Sequence, residues 1–379
     1  MPKLAFALCL LLLAALPSAA ESKVRKGPSG AAFYTPPAPL PSGAHGAPIW
    51  ARKGSGGQRL LLYRSTGVTG KPVAVSGTVA VPKGRAPKGG WPVISWAHGT
   101  TGIADRCAPS RGGGGSAPAL LERWRKAGYA IVRTDYEGLG TPGEHPYLIG
   151  RSEGRAVLDA VRAARKLDPR LGRRFLIAGH SQGGHAALWA ASLAPRHTPE
   201  LRLRGTVAFA PASHIGEQGG ALSSFTQPSP LSGLVALILR GLDVARPDLG
   251  VSLGLTESAA ALYPRTLTEC IGPLVGPGSF GALAPAGLIR PDVPTGAVLG
   301  ALAENDPEAL TIRTPVRVQQ GTADNTVFKA FTDPLVADYR KRGVPVTYKT
   351  YEGVDHGGVV TDARSARDAT KYLRGRLRP

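Results

Sequence analysis

Six residues, Gly179-His180-Ser181-Gln182-Gly183-Gly184, constrain this chain more than any others. The apolar stretch at 174–178 before them reads as a buried strand, and 185–191 after them reads as a helix. G-x-S-x-G between a strand and a helix is the setting of a nucleophile elbow. There the serine sits on a turn too tight for ordinary backbone geometry and lifts its hydroxyl to the start of the helix. Gly179 and Gly183 are small because helix and strand pass close together at that turn. The backbone N–H of Gln182 is aimed at the same spot, where it can bind a developing oxyanion. The competing account is a chance match in a chain with 50 glycines, and the flanking strand and helix argue against it.

The 379 residues allow one large α/β domain with an insertion, or two ordinary domains, and 42% hydrophobic residues are ample for a core. The formal net charge is +20. Its basic residues are scattered rather than gathered in a stripe, and the sequence contains no nucleic-acid module. A general compositional trait explains the charge more simply than attraction to anionic surfaces. Residues 1–20 carry Lys3, an apolar run at 4–16 and small residues at Ser18 and Ala20, the pattern of a secretory signal peptide. That implies a secreted or periplasmic protein. Two cysteines, Cys107 and Cys270, then remain outside the leader. In an oxidising compartment they suggest one disulfide, the alternative being two separate buried thiols.

The rest of the chain divides at changes in rhythm. Residues 21–57 are rich in Pro, Gly and Ser and read as an extended lead-in with little regular structure. Residues 58–211 form the first part of the core. The stretches 58–64 and 73–81 look like an antiparallel pair at a sheet edge. Strands at 91–96 and 129–134 then alternate with helices at 118–128 and 152–167. The strand at 204–210 ends this pattern. Residues 212–312 show no clean alternation and read as an inserted cap, while 313–379 resume as strand, helix, strand and helix. The fold class is therefore α/β, with a mostly parallel central sheet covered by helices on both faces and interrupted by a cap.

A serine hydroxyl needs a base, and the base needs an orienting acid. On this architecture they follow the serine in the order acid, then histidine. His185 lies one turn along the helix, pointing away from the hydroxyl, and His197 and His214 follow soon after. Beyond His214 only His356 remains, after the strand that ends near Tyr351. Asp324, after the strand at 316–320, is placed at the same sheet edge. Asp333 falls in a helix-like stretch, and Asp355 adjoins the histidine and points elsewhere. The second oxyanion donor is expected from Ala97-His98-Gly99-Thr100-Thr101-Gly102, through Gly99 or Thr100. His98 reads as a structural loop residue. The histidines and cysteines lack metal-ligand spacing, and the elbow lacks a dinucleotide fingerprint, so neither metal nor cofactor is expected.

With these residues assembled, the chain resembles the secretory lipase family from about residue 45 to the end. Cys107-Ala108-Pro109-Ser110, Asp135-Tyr136-Glu137-Gly138, the run from Gly150 through Glu153 to Gly154, the elbow, Asp324 and His356 carry the resemblance. It implies an α/β-hydrolase core with a helical cap, a disulfide joining Cys107 to Cys270 in the cap, and hydrolysis of acylglycerols and other carboxylic esters. The family's fungal lipases carry a smaller residue at the Gln182 position and an acidic one where this chain has His98-Gly99, which implies a different acyl preference. Asp135 and Glu137 read as structural residues holding their loop. The expected partner is a small-molecule or lipid ester, with transient contact to a lipid interface and no stable protein partner. The rival readings are a short-chain carboxylesterase or an acyltransferase with the same triad, and a non-catalytic binding protein on a hydrolase core.

Overall fold

The computed structural model of the protein describes residues 24–112, 115 and 117–379; the leader expected at 1–20 lies outside them. Nine strands form one sheet: β1 Pro48–Lys53, β2 Arg59–Thr66, β3 Pro72–Ala80, β4 Trp91–Ala97, β5 Ala130–Thr134, β6 Leu171–His180, β7 Arg202–Phe209, β8 Val316–Gly321 and β9 Val346–Tyr351. Their spatial order is β1-β2-β3-β5-β4-β6-β7-β8-β9. The first three strands and the β3–β5 contact are antiparallel, and every pairing from β5 to β9 is parallel. One expectation is corrected here. The segment 21–57, expected as an extended lead-in with little regular structure, ends in β1, which pairs with β2 and becomes the outermost strand. The prolines that argued against a strand stand before it, and Pro48 opens it, a position where proline is tolerated.

Helices α1 Pro118–Lys126, α2 Gly150–Leu167 and α3 Gln182–His197 belong to the first half of the core. Between β7 and β8 lie α4 Ile215–Leu222, α5 Leu231–Ala245, α6 Glu257–Leu262, α7 Ile271–Val275 and α8 Gly296–Ala303. The chain closes with α9 Lys329–Lys341, α10 Gly358–Thr361 and α11 Ala363–Arg376. No helix among the described residues is long and apolar enough to cross a membrane.

Successive residues of a strand face opposite sides, so both faces of a sheet covered by helices must be apolar. Val93 and Ile177 pack under the alanines of α2 and α3 on one face, whereas Ile94 and Leu176 pack with Trp124 of α1 and Leu373 of α11 on the other. Each buried aliphatic side chain of this kind contributes about 1.5–3 kcal/mol relative to exposure. The helices between β7 and β8 have their own cluster. There Leu237, Leu239 and Leu242 of α5 pack against Tyr147 and Leu148 of the loop before α2.

Cys107 and Cys270 are joined, with Cα atoms 5.5 Å apart. Next to the bridge, Ile271 N–H donates to Thr101 O at 3.0 Å, so the loop after β4 and the start of α7 are tied by backbone as well as sulfur.

Candidate active site

The elbow is as tight as the motif implies. Ser181 has φ +59° and ψ −120°, a conformation rare for any residue but glycine and typically worth 1–3 kcal/mol of strain. The turn holds because both backbone groups of Ser181 are bonded: its N–H donates to Phe209 O at 2.9 Å, and its C=O accepts from His185 N–H at 3.1 Å. A Cβ on Gly179 would stand 2.0 Å from Gly183 O, and one on Gly183 would stand 2.0 Å from Ala97 O. Neither position has room for any side chain.

Three further loops reach the same carboxyl edge. The loop after β4 passes beside the elbow: a Cβ on Gly99 would lie 3.5 Å from the Ser181 Cβ. The Thr100 hydroxyl is shared with Tyr147 Oη at 2.6 Å, so it is engaged rather than free to face a substrate. His98 is buried, Nδ1 lies 2.7 Å from Gly99 O, and burial holds its ring down to a pKa of about 3. It is a structural residue of the loop.

Asp324 follows β8 and His356 follows β9. A Cβ on Gly321 would lie 2.0 Å from Val354 O, a closeness that only glycine permits. His356 Nδ1 lies 2.8 Å from Asp324 Oδ2. The carboxylate accepts, so Nδ1 carries the proton and Nε2 is left with its lone pair. Asp324 also accepts from Gln320 Nε2 at 3.0 Å, Thr326 N at 3.0 Å and Val327 N at 2.9 Å. Burial pushes its carboxyl up, but the bond and charge of His356 and the Thr326 and Val327 N–H donors outweigh burial and hold it below the ordinary value. The competing acids have other work. Asp333 pairs with Lys329 and Tyr348, and Asp355 accepts from Gly358 N–H.

Ser181 and His356 line one cavity of about 810 Å³ together with Gly99, Thr100 and His180. No hydrogen bond joins Ser181 Oγ to His356 among the described residues; such contacts are often loose without substrate. A second cavity, of about 520 Å³, opens from Ser181 and Gln182 into the helical insertion. Leu234, Val235 and Ile238 of α5 and Leu299 of α8 line it.

Several residues at the site have roles that the sequence did not reveal. His180, read as a variable position of the motif, donates from Nε2 to His356 O at 2.9 Å, and the two rings lie 4.6 Å apart with their planes tilted by 38°. Burial and the neighbouring His356 hold its pKa down to about 3. It therefore stays neutral and fixes the histidine loop without adding a charge beside it. Under the elbow lies a buried set of Glu153, His145 and His185. Asp135 and Glu137 have the structural roles expected of them: Asp135 accepts from Ser76 Oγ and Ser110 N, and Glu137 accepts from Val68 N and Ser152 Oγ.

Spacing along the chain also gave no sign that His45, Asp159 and His197 come together. Asp159 Oδ1 lies 2.8 Å from His45 Nδ1 and 2.9 Å from His197 Nε2. All three ligand atoms lie within 4.8 Å of one another. The guanidinium of Arg162 sits 3.7 Å from the same oxygen, while its Nε and Nη2 donate to the Glu200 carboxylate. The cluster fastens the N-terminal segment to α2 and α3.

Sheet order, elbow and following loops define an α/β-hydrolase fold. Within that class the chain is similar to the secretory lipases: the family described as "Secretory lipase" matches residues 118–275. Lipase A of Moesziomyces aphidis is 31% identical over 242 residues, covering 57% of this chain and 49% of its own. A Mycobacterium tuberculosis protein named "Probable inactive lipase" is 30% identical over 203 residues, covering 50% of this chain and 44% of its own. The chain thus spans about half the length of the curated relatives it matches. Among solved structures, the rice cell wall degrading esterase of Xanthomonas oryzae superposes with a TM-score of 0.72 at 18% identity, over 88% of this chain and 99% of that one.

Proposed function

We propose that this chain is an exported serine hydrolase of carboxylic esters, of the lipase kind, working through an acyl-enzyme. The observation that supports it most is a strained serine and an aspartate-bound histidine facing one cavity beside the loop after β4. In this reading Ser181 Oγ attacks the ester carbonyl carbon and its proton passes to His356 Nε2. The carbonyl oxygen becomes an oxyanion held by the N–H of Gln182 and that of Gly99 or Thr100. Collapse expels the alcohol, which takes the proton from His356. Water then repeats the two steps and frees the acid. The helices at 212–312 act as the cap. Export fits the leader pattern, the disulfide and the description of the matching family as secretory.

The two cavities divide the substrate. His356 must protonate the leaving oxygen, so the alcohol lies on the side of the larger cavity. Phe225, exposed at its rim, suits contact with a lipid surface. The acyl chain enters the apolar cavity beyond Gln182. The test is hydrolysis of p-nitrophenyl esters from acetate to palmitate. Activity confined to acetate and butyrate would favour the short-chain esterase, whereas an optimum at longer chains supports the lipase reading. Val235→Trp narrows the acyl cavity and should cut kcat/KM for the longest ester at least about tenfold, with butyrate changed by no more than about twofold. Equal losses at every chain length would refute the assignment of that cavity.

A non-catalytic reading has one observation on its side, the relative named inactive. If no ester is cleaved and a fluorophosphonate fails to label Ser181, that reading replaces this one.

A further inference from the structure

The floor of the elbow is built from buried polar groups. Glu153, in the first turn of α2, is fully buried and points at α3. Its Oε1 accepts from Gln182 Nε2 at 2.7 Å and from Leu148 N–H at 3.0 Å. The second hydrogen of the Gln182 amide has its own acceptor. His145 Nδ1–H donates to Glu137 O at 2.8 Å, so His145 Nε2 is bare and receives Gln182 Nε2 at 2.9 Å. Both hydrogens of the Gln182 amide are therefore claimed, by acceptors from outside its helix.

The other oxygen of Glu153 lies 3.2 Å from His185 Nδ1. His185 Nε2 in turn faces Asn305 O at 2.8 Å. Neither a carboxylate nor a carbonyl can donate, so both ring nitrogens carry protons and His185 is an imidazolium. Burial pushes that ring toward neutrality, but the bond and charge of Glu153 win and raise its pKa. His145, Asp306 and the buried phenols of Tyr136 and Tyr147 are the other titratable groups around this pair. Asn305 also accepts from Trp189 Nε1 at 3.0 Å, and its Oδ1 accepts from Gly150 N–H at 3.1 Å. The end of the helical insertion is thus bonded to the same floor.

We propose that Glu153 is a positioning residue for the oxyanion hole: it clamps the Gln182 side chain, with His145 as the second jaw and His185 as counter-charge, and so fixes the direction of the Gln182 backbone N–H. The inference rests on the hydrolase reading above. The aim of that N–H matters because an oxyanion donor works only at the position the oxygen takes in the transition state, and a misplacement near 1 Å can cost roughly a hundredfold. A clamp on the side chain is needed because Gln182 is the first residue of α3, where a backbone N–H has no partner within the helix.

The experiment measures kcat, KM and Tm on a p-nitrophenyl ester for the wild type, Glu153→Leu, Glu153→Gln, Gln182→Met and the Glu153→Leu/Gln182→Met double variant. Gln182→Met keeps the backbone N–H and loses the clamp, so kcat should fall about tenfold or more with KM nearly constant. Glu153→Leu should do the same. Glu153→Gln keeps the acceptor for Gln182 and offers an N–H to a neutral His185, and it should recover kcat to within about threefold of the wild type. Because Glu153 acts through Gln182, the double variant should be no slower than Glu153→Leu alone.

A Gln182→Met enzyme with unchanged kcat overturns the proposal, and so do losses that multiply in the double variant. If Glu153→Leu does not fold, Gln182→Met and Glu153→Gln still decide. A wild type that cleaves no ester fails before any variant is compared, and then the hydrolase reading falls and takes this inference with it.

Discussion

Ser181→Ala should lower kcat for any ester this protein cleaves by roughly 10⁴ or more and leave the fold intact. The loss is large because the reaction needs an atom that forms and breaks a bond to the substrate, and neither His356 nor the oxyanion donors can replace it. Residual turnover would come from water activated by His356 beside an unaltered oxyanion hole. The fold should survive because what holds the elbow is its backbone. The bonds of Ser181 N–H to Phe209 O and of Ser181 O to His185 N–H do not involve the hydroxyl. Alanine can occupy the φ of +59° at much the same cost as serine, so the strain is neither relieved nor increased. The measurement is kcat on the best ester of the series together with Tm. Tm should move by no more than about 2 °C. Full activity in Ser181→Ala would rule out the acyl-enzyme mechanism, whereas an unfolded variant would mean the hydroxyl has a structural role.

Much of this site was legible in the sequence because its parts are local. An elbow is a strand, a turn and a helix in about twenty consecutive residues, and its glycines are dictated by contacts with Gly183 and Ala97. Asp324 and His356 could be placed because each follows a recognisable strand, and all parallel strands end at one edge. The residues under the elbow were not legible. Glu153 reaches Gln182 across 29 positions, and His185 reaches Asn305 across 120. Such contacts depend on how α2, α3 and the helical insertion pack, which periodicity within any one of them does not report. His185 was correctly expected to point away from the hydroxyl, and it is that orientation which carries it to Glu153. The Asp159 cluster was hidden for the same reason, with His45 lying 114 residues from its partner. The strand β1 escaped because a proline-rich approach outweighed six residues of strand pattern.

Asp324→Asn should cost roughly 10²–10⁴ in kcat, and the surroundings of that carboxylate say why. An asparagine has one oxygen and one NH₂ to place where aspartate has two oxygens. Two backbone donors, Thr326 N–H and Val327 N–H, both point at Oδ1 and demand an oxygen there. The NH₂ is thereby driven to the Oδ2 position, facing His356 Nδ1 and Gln320 Nε2. Gln320 is poorly placed to turn its amide over. Its Oε1 accepts from Thr332 Oγ1 at 2.9 Å, and its Nε2 also donates to Val327 O at 3.0 Å. His356 is the group left to adapt. To accept from the NH₂ it must move its proton from Nδ1 to Nε2, where it can no longer take the proton of Ser181. The defect is one of tautomer, so kcat should fall far more than KM rises, and raising the pH should not restore it. A second signature comes from acid. The Asp324 carboxyl is held below its ordinary value by the His356 bond, so its contribution to stability is complete above the unfolded pKa near 3.8 and disappears as pH falls through the lower folded value. The Tm difference between the wild type and Asp324→Asn should therefore shrink as pH falls below about 4. A variant that keeps wild-type kcat would show that some other carboxylate orients His356. A Tm difference that does not change in acid would show that the Asp324–His356 bond adds nothing to the fold.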